Sequence, residues 1–239
     1  MDYYKEVKRL TGWIKDYVIA AGAVGTVVGI SGGIDSAVVA GLCKRAFPEH
    51  CLGLIMPCHS NPEDAYHAET VAMTLEIPVK KIVLDPVYDV MLKALEAKDF
   101  NTMAAANIKP RLRMTALYCY AAEKNYLVAG TGNKSEIFVG YFTKYGDGGA
   151  DLEPIGHLVK SEVRAVARVL GLPAAIIERP PSAGLWEGQT DEGEMGINYE
   201  ELDNYILTGA ASEQVVCVIN QLRRKSEHKR SLPPIPPRV

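Results

Sequence analysis

The segment from Val27 to Gly41 carries residues whose types and spacing suit the binding of phosphate groups. It reads VVGISGGIDSAVVAG, with two adjacent glycines between Ser31 and Ser36. Glycines let backbone N–H groups approach an anion closely, the two hydroxyls add donors, and the first turn of a following helix adds a favourable dipole. A carboxylate beside a phosphate is favourable only with a bridging cation, which Asp35 would help to hold. The segment therefore predicts a phosphate or pyrophosphate site that includes a cation.

This loop differs from two common nucleotide-binding loops. The Gly-Lys-Ser/Thr ending of a Walker A loop is absent, and so is the GxGxxG spacing of dinucleotide-binding folds. The structural alternative is a glycine turn followed by a helix that Ser or Asp caps. The place of the loop between an apolar, β-branched run and a helical pattern favours the phosphate site.

The elements that must position this loop alternate along the first 130 residues. Helices are predicted at residues 3–19, from about 35 to 47, and at 64–75, 87–97 and 110–122. Strands are predicted at residues 24–30, 52–56, 82–84 and 126–129. Such alternation predicts an α/β fold, in which a doubly wound parallel sheet carries helices on both faces. Ligands of such sheets bind at the carboxyl ends of the strands, where the loop would lie.

The second half of the chain has a weaker pattern. Loops are predicted at residues 145–151 and 182–196, both rich in glycine, and helices at 160–170, 199–207 and 212–224. Neither an internal repeat nor a clear domain boundary is visible. We therefore expect residues 1–239 to form a single domain.

Composition excludes several classes of protein. The formal net charge of −3 argues against a nucleic-acid-binding protein held by bulk basic charge. No run of 18 apolar residues occurs, so we expect no membrane-spanning helix, and the charged N-terminus is unlike a signal peptide. The five scattered cysteines form no CxxC pair, which fits reduced thiols and a cytoplasmic protein.

The glycine loop resembles the SGGxDS loop of the PP-loop family, the N-type ATP pyrophosphatases, which cleave ATP between the α and β phosphates. The chain as a whole resembles the ammonia-dependent NAD(+) synthetases within that superfamily. The KYGDGGAD stretch is the most specific part of the resemblance. The matching segments are GISGGIDSA (29–37), NIKPRLRM (107–114), AGTGNKSE (129–136), GYFTKYGDGGADLEPIGHLVK (140–160), GQTDEGEMGINYEELD (188–203) and SEHKR (226–230).

The resemblance implies a Rossmann-like fold of the adenine nucleotide α-hydrolase type. It also implies a ligase that forms a C–N bond in the last step of NAD biosynthesis. Nicotinic acid adenine dinucleotide (deamido-NAD), ATP and ammonia would give NAD, AMP and pyrophosphate through an adenylated intermediate. We expect the ammonia-dependent form, because 239 residues leave no room for the amidase domain of glutamine-dependent relatives. A homodimer with the dinucleotide site at its interface is implied as well.

The resemblance also assigns roles to individual residues. The residues implied for ATP are Gly29, Ile30, Ser31, Gly32, Gly33, Ile34, Asp35, Ser36, Thr131, Lys160 and Ser182. Those implied for the dinucleotide are Arg111, Lys144, Asp151, His228 and Lys229. The implied Mg²⁺ ligands are Asp35 and Glu136, and the implied catalytic residues are Asp35, Lys160 and Asp151.

Two details come from spacing and chemistry rather than from the resemblance alone. Arg111 shares one predicted helix face with Thr115 and Tyr118, which favours Arg111 over Arg113 as the substrate contact. Ammonia must lose protons during its attack, and Asp147 or Asp151 could accept one. The glycine-rich loop 145–151 and the acidic segment 188–196 are candidate lids.

Two other functions stay open at this stage. One is another PP-loop ligase of the GMP-synthetase type or a tRNA-modifying enzyme, although the latter usually brings a basic extension or paired cysteines. The other is a non-catalytic regulator that binds adenine nucleotides. Such a regulator would not need the pair of acidic residues Asp35 and Glu136, nor a lysine-bearing glycine loop.

Overall fold

The computed structural model describes residues 1–97, 102–182, 184–186 and 188–238. The strands found there are β1 (Gly25–Gly29), β2 (Cys51–Ile55), β3 (Val79–Lys81) and β4 (Tyr126–Ala129). The helices are α1 (Tyr3–Ala20), α2 (Ile34–Ala46), α3 (Pro62–Thr74), α4 (Asp85–Ala94), α5 (Thr102–Ala106), α6 (Ile108–Lys124), α7 (Lys134–Val139), α8 (Lys160–Leu170), α9 (Ala174–Ile177), α10 (Asp191–Met195), α11 (Tyr199–Thr208) and α12 (Glu213–Ser226), followed by a 3-10 turn (Glu227–Lys229). Within the described ranges, no helix has both the length and the apolar character needed to cross a membrane.

The four strands form one parallel sheet in the order β3-β2-β1-β4. Val28 of β1 pairs with Gly53 on one side and with Ala129 on the other. The chain therefore leaves β1 in one direction and returns to its other side with β4. A sheet of this order binds ligands where the direction reverses, at the carboxyl ends of β1 and β4. Leu152 adds one parallel bridge to Ala129 beyond β4.

Helices cover both faces of the sheet, which confirms the predicted doubly wound fold. Neighbouring residues of β1 point to opposite faces, because side chains alternate along a strand. Val27 belongs to the apolar cluster beneath α4 and α6, whereas Val28 belongs to the cluster formed with α1, α2 and α8. Helix α2 lies between the sheet, α1 and α8, so its residues from Ser36 to Cys43 are buried all round.

The third strand is the one strand that the sequence misplaced. It comprises Val79–Lys81 rather than the predicted residues 82–84. The partner strand β2 ends at Ile55, which pairs with Lys81. Residues 82–84 therefore have no strand to pair with, although the Ile82 N–H still donates to the Ile55 carbonyl (2.9 Å). Because β3 lies at the sheet edge with exposed side chains, its sequence lacks the apolar pattern of a buried strand.

The segment 182–196, predicted as a polar loop, also differs in part. Its last residues form the short helix α10, in which Asp191 and Met195 are buried. Thr190 caps this helix by accepting the backbone N–H of Gly193 at 3.2 Å. The charged residues of the segment therefore do not all face solvent.

A buried carboxylate ties α1 to the segment before α8, and it yields a test of stability. Glu6 accepts hydrogen bonds from Arg9 (Nη2 to Oε1, 2.5 Å) and from His157 (Nε2 to Oε1, 2.7 Å). The Arg9 hydrogen bond outweighs the effect of burial and lowers the pKa of Glu6 from 4.5 to about 2. A carboxylate with a lowered pKa stabilises the fold above its unfolded pKa, and that stabilisation is lost as the pH falls towards the folded value.

Glu6→Gln is therefore expected to lower the free energy of unfolding by about 2 kcal/mol near neutral pH. The difference from the wild type should shrink by more than half at about pH 3. Urea unfolding at both pH values measures it, with Asp16→Asn on the exposed side of the same helix as the control. A difference that does not change with pH would contradict the assigned ion pair.

Candidate active site

A cavity of about 1200 Å³ lies at the carboxyl ends of β1 and β4. It exceeds the usual size of a single small-molecule site, so two nucleotide-sized ligands would fit. The predicted site residues in its lining are Gly29, Ile30, Ser31, Gly33, Ile34, Asp35, Ser36, Arg111, Thr131, Glu136, Lys144, Lys160, Ser182, His228 and Lys229. The fold thus brings together segments from the start, the middle and the end of the chain. Gly32 and Asp151 are placed behind this lining.

The glycine loop between β1 and α2 is held in a fixed shape by its own hydroxyls. Ser36 Oγ accepts the backbone N–H of Ser31 (3.1 Å) and donates to the Gly33 carbonyl (2.9 Å). Gly32 has φ +84° and turns towards α3. Helix α2 begins after Gly33, which has no side chain to cap the first-turn N–H groups. These N–H groups stay available as donors to an anion.

Three charged groups of the predicted site converge beside this loop. Lys160 Nζ lies 2.5 Å from Asp35 Oδ2 and 3.2 Å from Glu136 Oε1. The Lys160 side chain is only 2% exposed, and its ammonium group lies 4.8 Å from the centre of the Tyr199 ring. A buried lysine needs such partners, because an unpaired charge in the interior is costly. The structure therefore joins the first turns of α2, α7 and α8 through one ammonium group.

Capping explains how a lysine can open α8. The dipole of a helix makes a cation unfavourable in its first turn. Asp203 of α11 compensates, since its two carboxylate oxygens accept the backbone N–H groups of Lys160 (3.3 Å) and Ser161 (2.8 Å). Ser135 donates to the same carboxylate at 2.6 Å, so α7, α8 and α11 meet at one point.

The surplus of carboxylates around Lys160 shifts the local pKa values. Burial raises the pKa of Glu136 to about 7, the charges of Asp35 and Asp191 add to this, and Lys160 offsets it in part. Burial also raises the pKa of Asp191. For Lys160, burial acts to lower the pKa, but Asp35 and Glu136 outweigh it and raise the pKa. The site therefore favours a further positive charge near these carboxylates.

Three residues that sequence reasoning did not single out, Tyr141, Asp191 and Tyr199, complete this cluster. The Tyr199 hydroxyl lies 3.1 Å from Glu136 Oε1 and 3.0 Å from Asp191 Oδ2. The Tyr141 hydroxyl lies 3.1 Å from Asp191 Oδ1. Asp191 and Tyr199 fall within the matched segment GQTDEGEMGINYEELD, and that match was the one signal that could have found them.

Four of the predicted dinucleotide-binding residues form a second group in the cavity lining. Lys144 Nζ donates to the His228 carbonyl at 2.5 Å. In return, Lys229 Nζ donates to the carbonyls of Gly140 (3.0 Å) and Phe142 (2.8 Å). These bonds hold the C-terminal 3-10 turn against the glycine-rich loop. Arg111 reaches the same loop, with Nη2 3.4 Å from the Lys144 carbonyl.

Asp151 has both carboxylate oxygens occupied. They accept the backbone N–H of Val128 (2.8 Å) and the hydroxyl of Tyr118 (3.0 Å). This position follows from the bridge between Leu152 and β4, which draws the neighbouring Asp151 to the sheet edge. Asp147, by contrast, lines the cavity, and its Oδ1 accepts the backbone N–H of Thr143 at 2.9 Å.

Ser182 and Thr131 both line the cavity. The Ser182 hydroxyl donates to the Gln189 carbonyl (2.7 Å) and accepts the N–H of Gly184 (3.1 Å), so it also closes its own loop. Thr131 follows β4 directly. Two residues later, Asn133 Nδ2 donates to Asp35 Oδ1 at 2.9 Å and so fixes the orientation of that carboxylate.

The donor set fits a Mg²⁺ ion that is bound together with phosphates. Among the residues the structure describes, no three His, Cys, Asp or Glu side chains cluster closely enough to hold a metal ion. Asp35 and Glu136 nevertheless converge on one point, which their shared contact with Lys160 Nζ marks. Protein sites for Mg²⁺ commonly supply one or two carboxylates and leave the other positions to water and substrate phosphates.

The chain is similar to several known proteins. The family model described as NAD synthase matches residues 6–233. The NH(3)-dependent NAD(+) synthetase of Carboxydothermus hydrogenoformans is 51% identical, over 99% of this chain and 98% of that protein. The structure of NMN synthetase from Francisella tularensis has a TM-score of 0.95 at 37% identity, with 99% of both chains covered. The NH3-dependent NAD synthetase of Campylobacter jejuni has a TM-score of 0.83 at 33% identity, with 99% and 100% covered.

These matches confirm the predicted enzyme and its class. It is a ligase that forms a C–N bond and makes NAD from deamido-NAD, ATP and ammonia. They favour neither the GMP-synthetase type nor the non-catalytic regulator. The chain belongs to the NAD synthase family.

Proposed function

We propose that the cavity is the site of both half-reactions and that its residues have the roles the resemblance implies. The observation that carries this proposal is the convergence of Asp35, Glu136 and Lys160 beside the glycine loop. In the first half-reaction, the nicotinate carboxylate attacks the α-phosphorus of ATP and pyrophosphate leaves. In the second, ammonia attacks the acyl carbon and AMP leaves. No nucleophile of the enzyme is needed, so catalysis rests on positioning and on charge.

Each group in the ATP half of the site has a defined task. Backbone N–H groups and hydroxyls of residues 29–36 hold the departing pyrophosphate. Asp35 and Glu136 would hold Mg²⁺, which supplies positive charge against the phosphate oxygens when it is bound. Lys160 keeps these two carboxylates together and brings a fixed cation close to the phosphates. Thr131 and Ser182 complete the contacts to ATP.

The other half of the site is proposed to bind the dinucleotide. Lys144, Lys229 and Arg111 supply the positive charge that its two phosphates require, and His228 adds a further contact. Asp151 is the proposed contact to the nicotinate end or ribose. Because it does not line the cavity, the dinucleotide would have to displace the Tyr118 hydroxyl to reach its carboxylate. Asp147 lines the cavity and Asp151 does not, which favours Asp147 as the acceptor of the proton that ammonia loses.

The domain organisation, the oligomeric state and the location of the protein are also proposed. Residues 1–239 act as one domain, and the protein forms a homodimer, for which α4 and its preceding turn offer exposed Val83, Val87 and Val90. All five cysteines are free thiols, which supports a cytoplasmic location. Sedimentation equilibrium of the protein with and without Val90→Lys would test the dimer.

A direct assay tests the proposed roles together with the activity. The protein is incubated with ATP, Mg²⁺, ammonium and deamido-NAD, and the formation of NAD and AMP is followed. Equal amounts of NAD and AMP are expected. Formation of GMP from the xanthosine nucleotide without formation of NAD would overturn the assignment.

We also propose that the mononucleotide is a second substrate. The similarity to the NMN synthetase of Francisella tularensis, which extends over 99% of both chains, favours it. Nicotinic acid mononucleotide carries the same reacting carboxylate, ribose and one phosphate, and lacks only the adenylate half. We expect kcat/KM for the mononucleotide to lie within about 100-fold of the value for deamido-NAD. Absence of NMN under conditions that yield NAD would refute this second activity.

A further inference from the structure

Lys109 is a buried lysine in the first turn of α6 to which no role has yet been given. It is only 6% exposed. In the described part of the chain its ammonium group donates to backbone carbonyls, those of Leu185 (2.7 Å) and His59 (3.4 Å), and it lies 5.6 Å from the centre of the Tyr88 ring. Lysine is rarely this buried unless it is paired with a carboxylate. Burial accordingly lowers the pKa of Lys109.

The two carbonyls belong to different loops that line the same cavity. His59 lies in the loop after β2, and Leu185 lies in the loop that carries Ser182. The Leu185 loop is compact: the N–H of Leu185 donates to Gln189 Oε1 (2.7 Å), and Ser182 Oγ donates to the Gln189 carbonyl (2.7 Å). A displacement of Leu185 therefore passes to Ser182 through Gln189.

We propose that Lys109 is a positioning residue that sets the distance between the β2–α3 loop and the Ser182 loop and thereby holds Ser182 at the ATP site. This role rests on the proposed function, in which ATP binds beside Ser182. Lys109 itself does not line the described cavity, so it acts through the two loops rather than on the nucleotide. The charged groups around Lys160 lie elsewhere in the cavity wall and keep their own contacts when Lys109 is changed.

Lys109→Met tests the proposal by separating KM from kcat. The variant keeps the length of the side chain and removes the donors. We expect KM for ATP to rise at least about tenfold while kcat falls less than about threefold, since the reacting groups are untouched. Lys124→Met, an exposed lysine at the far end of the same helix, is the matched control and should leave both constants unchanged.

Fluorescence of Trp186, next to Leu185, provides a readout that does not depend on turnover. Trp13→Phe leaves Trp186 as the one tryptophan. In that background, Lys109→Met should shift the emission and weaken ATP binding measured by titration. If Lys109→Met does not fold, Lys109→Gln, which keeps one donor for the Leu185 carbonyl, should show the same rise in KM to a smaller extent.

The possible outcomes distinguish failure of the proposed function from failure of the positioning role of Lys109. Wild-type protein that makes no NAD would refute the proposed function. Wild-type protein that makes NAD, together with a folded Lys109 variant whose KM for ATP and Trp186 emission are unchanged, would refute the positioning role. A fall in kcat with unchanged KM would refute it as well.

Discussion

Asp35→Asn is expected to lower the turnover of NAD formation by at least about a thousandfold while the fold stays intact. The substitution keeps the volume of the side chain and its Oδ1 acceptor for Asn133, but it removes the negative charge. Oδ2 of Asp35 lies 2.5 Å from Lys160 Nζ, so the variant takes one of two counterions from a buried ammonium group. It also takes one of the two carboxylates that would hold Mg²⁺.

Three measurements check this result. Turnover is measured over a range of Mg²⁺ concentrations, thermal unfolding shows whether the fold is kept, and calorimetry measures the affinity for ATP with Mg²⁺. Asp16→Asn, with the same chemical change on the exposed side of α1, is the control and should retain full turnover. A loss of less than about tenfold in Asp35→Asn would exclude the proposed role of this carboxylate.

The parts of the fold that follow from local sequence were predictable. The run of β-branched residues before Ser31, the glycine pair and the helical pattern after it lie next to each other in the chain, and the structure has β1, the loop and α2 in these places. The alternation of strands and helices was enough to predict a parallel sheet with two covered faces. Helix α1 lies where a helix was predicted, and its Val7, Leu10, Ile14 and Val18 pack on the core.

The parts that depend on contacts between distant residues were not predictable. The Tyr199 hydroxyl bonds to Glu136, which is 63 positions away in the sequence. The polar residues around Tyr199 indicate only a solvated segment. Lys109 and Leu185 are 76 positions apart, and neither residue type predicts the hydrogen bond between the Lys109 ammonium group and the Leu185 carbonyl. The position of β3 depended on where its partner strand ends, which the apolar pattern of residues 82–84 does not reveal.

The same distinction applies to the candidate site. The resemblance named the fifteen residues that the structure brings together in one cavity lining, but it did not show that Lys160 holds Asp35 and Glu136 together. Nor did it show that Lys144 and the segment of Lys229 bind each other's backbone. Such pairings arise from tertiary packing. They determine how the lining residues are oriented, which a list of matching residues does not reveal.

Gly32→Ala is the second substitution for which a large effect is expected. Gly32 has φ +84°, which an alanine adopts only with strain, and its missing side chain faces α3. A Cβ atom there would lie 2.5 Å from the Asp64 backbone oxygen and 2.9 Å from His67 Cβ. Since backbone cannot yield as a flexible side chain does, the loop itself must move away from α3.

That movement displaces the donors that are proposed to hold the pyrophosphate. Hydrogen bonds from the N–H groups of Ser31 and Gly33 to the hydroxyls of Ser36 and Ser31 tie the loop to the start of α2, so the free N–H groups of that first turn shift with the loop. A displacement of about 1 Å in a positioning element can reduce the rate about 100-fold. We therefore expect kcat/KM for ATP to fall by at least about 100-fold, measured with saturating deamido-NAD and ammonium.

A matched control separates the steric contact from backbone strain alone. Gly171, at the C-terminal end of α8, has φ +76°, and a Cβ atom added there would meet nothing within 4 Å. Gly171→Ala should therefore lower the free energy of unfolding by about 1 kcal/mol and leave kcat/KM unchanged. If the two variants lose similar stability and both keep their activity, the loop does not depend on its contact with α3. If only Gly32→Ala loses activity, the close approach of loop and helix is what fixes the phosphate donors.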